Sequence, residues 1–415
     1  MRLLTLFFLS MALLTTAWAQ DSLNVTRIGQ LNLPSGAEQE GLTVVGSYAY
    51  VTNGSHGLRL IDISNPAAPA EMGFCDTPGY AGAVAVAGNY AYVADGFSGL
   101  RIIDISNPAA PVEAGFHAMP GAPEGVAVAG NYLFVADWSS GLRILDITNP
   151  VAPTDAGSCN SPGWAHGVTL AGNYAYVSDE GSGLRIIDIT NPAAPTETGY
   201  FDTPGYAWST AISGSYAYVA DWNAGLRIID ITNPAAPTEV GNRDTLNSAL
   251  GVAVTGDFAF VADLVTGLRV LNVADPTNPV EVGYYDTPGG ARNVVVLGSL
   301  AYVADDEKFG IYKCSTALSA HPKPGVVANQ FALHPAYPNP FNVSTQIQFD
   351  VPRASLVQIR IYDVQGRVVE DLAARVFDAG THNVMFDASN RASGMYVVKM
   401  TSGAFASSQK LVLIK

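Results

Sequence analysis

The sequence predicts an all-β protein: a seven-bladed β-propeller closed by an N-terminal strand, followed by a small Ig-like β-sandwich. Three observations carry this. The tract "GLRIIDISNPAAP" at 99–111 recurs, in close variants, from Gly57, Gly141, Gly183, Gly225 and Gly267, each 42 residues from the next. A second motif, "YAYV" and its variants, keeps the same period from Tyr48, Tyr90, Tyr132, Tyr174, Tyr216, Phe258 and Leu300, which makes seven units. After Lys313 the period stops, and the later residues alternate apolar with polar over short runs.

Taken in order, residues 1–19, "MRLLTLFFLSMALLTTAWA", place one Arg before an apolar run and finish on Ala17-Trp18-Ala19. That is the layout of a secretory signal peptide, and it predicts a mature chain from Gln20. No later stretch approaches the roughly 18 uninterrupted apolar residues that a membrane-spanning helix needs, so no transmembrane segment is expected.

Residues 20–315 form the repeat array. A unit such as 83–118, "AVAVAGNYAYVADGFSGLRIIDISNPAAPVEAGFHA", holds four runs rich in Val, Ile, Tyr and Ala, punctuated by Gly-Asn, Asp-Gly and Asn-Pro. These read as four strands, a to d. No segment places apolar residues at three-and-four spacing, and every candidate helix would contain Gly or Pro, which excludes helical repeats. Four strands per unit of about 40 residues is the signature of a propeller blade. The last unit supplies "NVVVLG", "LAYVAD" and "FGIYKC" as strands a, b and c and then stops, while "VTRIGQL" at 25–31 reads as a strand d with no unit of its own. The N-terminal segment is therefore expected to complete the seventh blade and remove the open edges.

The residues "GLRIIDISNP…P…VG", in six nearly identical copies, resemble the LVIVD repeat of bacterial surface proteins. The resemblance covers about residues 22–315 and implies a seven-bladed propeller without implying a particular activity.

Residues 316–330, rich in Pro, Ser and small residues, read as a linker. Residues 331–415 alternate over "STQIQFDV", "LVQIRIYDV", "THNVMFDA", "GMYVVKM" and "SQKLVLIK", the pattern of a small antiparallel sandwich with one buried face per sheet. The ordered motifs "YPNPFNVST", "IYDVQGRVV", "AGTHNVMFD", "SGMYVVKM" and "KLVLIK" resemble the type A sorting domain of the type IX secretion system, with Val343 where that family often has Pro. The resemblance implies that an outer-membrane translocon reads this domain as its partner. It also implies a cargo released from the cell or attached to its outer surface.

Composition narrows the function. The chain has 415 residues, 48% hydrophobic and 14% charged, enough to bury a large core, and 36 acidic against 21 basic residues disfavour nucleic acid and anionic membrane surfaces. Cys75, Cys159 and Cys314 are too few for a disulfide framework and read as packed or unpaired thiols.

Six units keep an Arg in strand c (Arg59, Arg101, Arg143, Arg185, Arg227, Arg269) and, three residues on, an acid (Asp62, Asp104, Asp146, Asp188, Asp230) or at the last Asn272, which alternation puts on opposite faces. The Arg of one blade is expected to meet an acid of the next. A further ring, Asn53, Asp95, Asp137, Asp179, Asp221, Asp263 and Asp305, ends every strand b. We read it as turn residues accepting backbone N–H bonds rather than as a carboxylate ring for metal. The pattern calls for no metal and no cofactor.

There is no HExxH and no GxSxG, and the histidines are scattered. The reading is a non-enzymatic binding or adhesion protein with a glycan or peptide ligand. The alternatives are an extracellular hydrolase or lyase at the channel mouth, or a purely structural surface protein. Candidate ligand residues come from positions that vary while the repeat around them does not. The position opening strand a reads Glu40, Gly82, Glu124, His166, Trp208, Leu250 and Arg292. Outside the leader, every Trp falls in a connection on one face of the ring: Trp138 and Trp222 between strands b and c, Trp164 and Trp208 between d and a. Flat aromatic surfaces with Tyr206, His166, Glu124 and Arg292 nearby suit a sugar or peptide. For each Trp the competing role is to cap the hydrophobic end of its own blade.

Overall fold

The computed structural model describes residues 22–34, 40–306, 308–315, 318 and 331–413, the last stretch with single- and two-residue gaps. The leader at 1–19 and all of the linker at 316–330 except Leu318 lie outside the described residues, as do Val343 and other parts of the "YPNPFNVST" motif. The chain divides into two units, Met1–Leu318 and Ser319–Lys415.

In the first unit every repeat folds as an antiparallel four-stranded sheet. Blade 2 is representative: strand a is Ala83–Ala87, b is Tyr90–Ala94, c is Leu100–Asp104 and d is Val112–His117, hydrogen-bonded in that order. The a–b turns place glycine at positive φ, as at Gly88 and Gly130, where glycine avoids a Cβ clash. Strands b and c are apolar on both faces because both are covered by neighbouring blades: Ala91, Val93, Leu100, Ile102 and Ile103 are all buried. Strand d is the exposed outer edge. The innermost strands follow one another in sequence order, and that of blade 7, Ala291–Leu297, lies against that of blade 1, Leu42–Val45.

Blade 7 takes its a, b and c strands from Ala291–Leu297, Leu300–Asp305 and Lys308–Lys313, and its fourth strand from Thr26–Asn32, with Thr26 opposite Lys313 and Asn32 opposite Lys308. This strand carries the signature of the internal d strands. Each has a bulge beside a glycine, and a Cβ on that glycine would fall 2.4 Å from the carbonyl oxygen of Pro108 at Gly73, 2.3 Å from that of Pro234 at Gly199 and 2.0 Å from that of Pro66 at Gly29. The repeated glycine lets the outer strands of blades 1 to 5 touch the c–d loop of the following blade, and Gly29 makes that approach to blade 1. One further element has no counterpart in the repeat pattern: Ser22–Leu23 adds a fifth strand to blade 6 against Tyr284 and Tyr285.

The arginine ladder is a correction. The strand-c arginines pair within their own blades: Arg59 meets Asp76 at 2.9 Å and Glu71 at 3.4 Å, Arg185 meets Asp202 at 3.1 Å and Arg269 meets Asp286 at 3.2 Å. Arg59 and Arg185 also stack on Phe74 and Tyr200, each 4.4 Å from the ring centre. The acid three residues on faces outward and accepts a backbone N–H, as Asp62 does from Ser64 at 2.8 Å. Alternation fixes the face, but the antiparallel strand d of the same blade is the nearer source of carboxylates.

The second unit is a two-sheet sandwich. Ala332–Leu333, Ser344–Val351 and Gly380–Asp387 form one sheet; Val368–Phe377, Ser355–Tyr362, Gly394–Ser402 and Phe405–Leu413 form the other. Phe349 and Phe386 of the first sheet meet Val357, Ile359 and Met400 of the second in one core. Val368–Phe377, "VVEDLAARVF", lies outside the alternating runs of the sequence. Its register against Ser355–Tyr362 shifts twice, which blurs the alternation that would disclose it.

Candidate binding site at the channel mouth

The frame around the mouth is built by the residues that do not vary. Asp95, Asp137, Asp179, Asp221, Asp263 and Asp305 are wholly buried. Most receive a hydroxyl and a backbone N–H from the preceding d–a loop: Asp221 accepts from Thr203 Oγ1 at 2.5 Å and Gly205 N at 2.8 Å, and Asp305 from Thr287 Oγ1 at 2.7 Å. Burial pushes these carboxyls up, and the donated hydrogen bonds pull against it. Thr-Pro-Gly is therefore more than a turn, since its first and third residues clamp the carboxylate. Blade 3 departs: Met119 stands where Thr or Ser does elsewhere, Gly121 N still donates to Asp137 at 2.9 Å, and Asp137 Oδ1 is buried without a partner.

On this frame sits a cavity of about 170 Å³. It is lined by all seven residues that open the a strands: Glu40, Gly82, Glu124, His166, Trp208, Leu250 and Arg292. Four of the candidate residues, Glu124, His166, Trp208 and Arg292, thus share one cavity. His166 stacks on Trp208 with ring centres 4.0 Å apart and planes at 19°. Burial depresses the His166 imidazole to about 4, which keeps it neutral at physiological pH, and raises the Glu124 carboxyl to about 7, with Glu40 adding a smaller push. Arg292 is committed elsewhere: its Nε lies 3.0 Å from Asp306 and its Nη1 3.5 Å from Glu40, so it joins blade 7 to blade 1.

The remaining candidates form two aromatic groups with their neighbours. Trp222 lies 6.2 Å from Trp208 and 5.0 Å from Tyr206, so these three and His166 form a continuous chain of rings. Trp138 and Trp164 are 5.0 Å apart, and Phe97 meets Trp138 edge-on at 5.7 Å. Trp164 is 47%, Tyr206 41% and Phe97 85% exposed, so these three rings are not buried caps. Phe97 escapes sequence reasoning because "DGFSG" reads as a plain turn. Glu40 and Leu250 belong to the variable ring of strand-a openings, and that variation is the signal that points to them.

The backbone under two of the tryptophans is unusual. The first residue of each b–c loop has positive φ: Gly54 and Gly96 in blades 1 and 2, but Trp138 (46°), Glu180 (48°), Trp222 (44°), Leu264 (35°) and Asp306 (47°) thereafter. This left-handed region costs a non-glycine residue about 1 kcal/mol. Paired backbone bonds to the next d–a loop enforce it, Trp222 with Ala249 at 3.0 Å in both directions and Trp138 with Ala165 at 3.2 and 3.0 Å.

The chain matches the LVIVD repeat at residues 38–77, 78–117, 120–161, 162–203, 204–245, 248–287 and 288–311, and the secretion system C-terminal sorting domain at 335–415. Among solved structures it is similar to a catalytically inactive variant of virginiamycin B lyase from Staphylococcus aureus with quinupristin, at 15% identity and TM-score 0.56 over 70% of this chain and 98% of that one. It is also similar to the Cps50 (Swd1) β-propeller domain of Myceliophteria thermophila, at 11% identity and TM-score 0.56 over 70% and 99%. The computationally designed Ika8 protein gives 7% identity and TM-score 0.53 over 69% and 99%. At these identities the likeness is one of fold. Comparison with curated proteins finds no match.

Proposed function

Because this chain belongs to the LVIVD repeat family and ends in a secretion system sorting domain, we propose that its propeller is a non-enzymatic binding or adhesion module displayed outside the cell. The sorting domain makes it a secreted or outer-surface protein. In this reading residues 1–19 are a cleaved signal peptide, 20–315 the propeller, 316–330 a linker and 331–415 an Ig-like domain handled by the type IX translocon. The strand Thr26–Asn32 acts as the closure of the ring.

The observation that carries the binding role is the cost accepted at Trp138 and Trp222. Blades 1 and 2 have glycine at the same backbone position, yet blades 3 and 5 place their largest side chains there, within a partly exposed run of rings. Aromatic surface held at an energetic cost, outside the core, fits a glycan or peptide ligand. The test is a glycan and peptide array probed with the mature chain and with Trp208→Ala and Trp222→Ala. Retention of one ligand class that either substitution abolishes supports the reading, and an array indifferent to both substitutions refutes it.

A second reading, an enzyme at the channel mouth, draws on Glu124, whose carboxyl near 7 beside a neutral His166 suits proton transfer. It requires that a bound ligand be chemically altered on incubation and that Glu124→Gln stop the change.

A further inference from the structure

The cavity has two unlike walls. On one side, Gly82 leaves a gap in the ring of strand-a openings between Glu40 and Glu124, and a Cβ there would come within 3.1 Å of Glu124 Oε2. The Glu124 carboxylate leans into the space that a side chain in blade 2 would otherwise fill. Glu40 is neutralised by Arg292 at 3.5 Å, but among the described residues no cation is paired with Glu124. On the other side, Trp208 and His166 present stacked rings to the same cavity. His166 carries no charge to repel a cation, and Asp306 takes up the remaining reach of Arg292 at 3.0 Å.

We propose that the channel mouth recognises an ammonium group, primary or quaternary, seated in the cavity between the Glu124 carboxylate, which leans into the gap left by Gly82, and the aromatic wall of Trp208 and His166. This rests on the binding reading above and names the chemistry at its centre. A partly buried carboxylate without a counter-ion is costly, and a cation that arrives with a ligand removes that cost. Ring faces attract cations whose hydration shell is weak, so a desolvated pocket favours an ammonium over a neutral group of the same shape. A neutral sugar would leave Glu124 uncompensated.

The experiment titrates the full mature chain with choline and with its uncharged isostere 3,3-dimethylbutan-1-ol, reading tryptophan fluorescence. Choline is expected to bind at least about tenfold more tightly than the alcohol, and Glu124→Gln and Trp208→Ala are each expected to weaken choline about tenfold while still unfolding in one cooperative transition above the temperature of the titration. Affinity should also rise between pH 6 and 8. The charged and titratable groups that share the cavity with Glu124 are Glu40, His166 and Arg292, and burial raises the Glu124 carboxyl to about 7, inside that window. Gly82→Ala, whose Cβ would fall 3.1 Å from Glu124 Oε2 and push that carboxylate out of the gap, should weaken choline and leave the alcohol unaffected. Equal affinity for choline and the alcohol, or a Glu124→Gln protein that binds choline as before, overturns the assignment. If choline is ignored while an array ligand still binds in a Trp208-dependent way, the ammonium proposal falls and the broader binding reading stands.

Discussion

Blades 1 and 2 and blades 3 to 5 are built on the same strands and differ almost only at their crowns. Tyr92 of blade 2 and Tyr176 of blade 4 occupy one buried position, and Asp95 and Asp179 end the same strand, each taking a hydroxyl and a glycine N–H. Above that frame, blade 2 has Gly96 where blade 3 has Trp138, and Gly82 where blade 4 has His166 and blade 5 has Trp208. The lesson is that packing between blades fixes the frame and leaves the residues at the mouth free to vary.

The comparison breaks first if the frame is not shared. Asp221→Ala and Asp95→Ala should each cost about 3 kcal/mol, because each strands a buried hydroxyl and a backbone N–H. Chemical denaturation of the two variants should give similar losses, and a clearly smaller loss in blade 2 would mean that the two regions are held differently. Next come the crowns. Trp208→Ala or Trp222→Ala should lower ligand affinity by about 1–3 kcal/mol. Trp164→Ala, with its side chain nearly half in water, should cost less than about 1 kcal/mol of folding stability.

The pH response sharpens the same contrast. Glu124 has a raised folded pKa near 7, so protonation favours the fold and its contribution to stability grows as pH falls from 7 towards the ordinary carboxylate range. His166 has a depressed folded pKa near 4, so stability is lost as pH falls from about 6.5 to 4 while the unfolded imidazole takes up a proton. The two oppose one another in the parent. Glu124→Gln should therefore lose melting temperature on acidification from about pH 6.5 to 4.5 faster than the parent does, and His166→Asn should lose it more slowly. Parallel curves for all three proteins would refute the linkage.

The smallest effects test blade 3 against blade 2 directly. Met119→Thr restores the hydroxyl that the other loops offer and should stabilise by about 1 kcal/mol by giving Asp137 Oδ1 its partner. Gly96→Ala imposes on blade 2 the left-handed strain that Trp138 already bears, at a cost of about 1 kcal/mol. If Gly96→Ala is neutral, the backbone argument for the tryptophans fails.

Most of the frame is legible in the 42-residue period, because a repeat that packs on itself must repeat its packing. Partners are harder than positions. The ring of aspartates and the Thr-Pro-Gly turns are both visible in the sequence, yet nothing in the spacing says that Thr203 reaches Asp221. The arginines meet a different neighbour from the expected one because alternation gives a face and not a distance. In the site, variation within the repeat singles out Glu124, His166, Trp208 and Arg292, and the cavity brings them together. Arg292 is nonetheless held by Glu40 and Asp306, a distant carboxylate and a near one that no repeat pattern connects to it. Phe97 and the short strand Ser22–Leu23 leave no periodic trace.

The pairing of Thr26–Asn32 with Lys308–Lys313 also decides how the molecule carries a mechanical load. The polypeptide leaves the repeat array through Lys313, and the strand that ends there lies between Leu300–Asp305 on one side and Thr26–Asn32 on the other. A tether pulling from the C-terminal side thus draws on an interior strand whose two rows of hydrogen bonds must slide together before it yields. An edge strand would peel away one bond at a time. An array whose exit strand is clasped by its own entry strand therefore yields by shearing two hydrogen-bonded rows together and not by unzipping one.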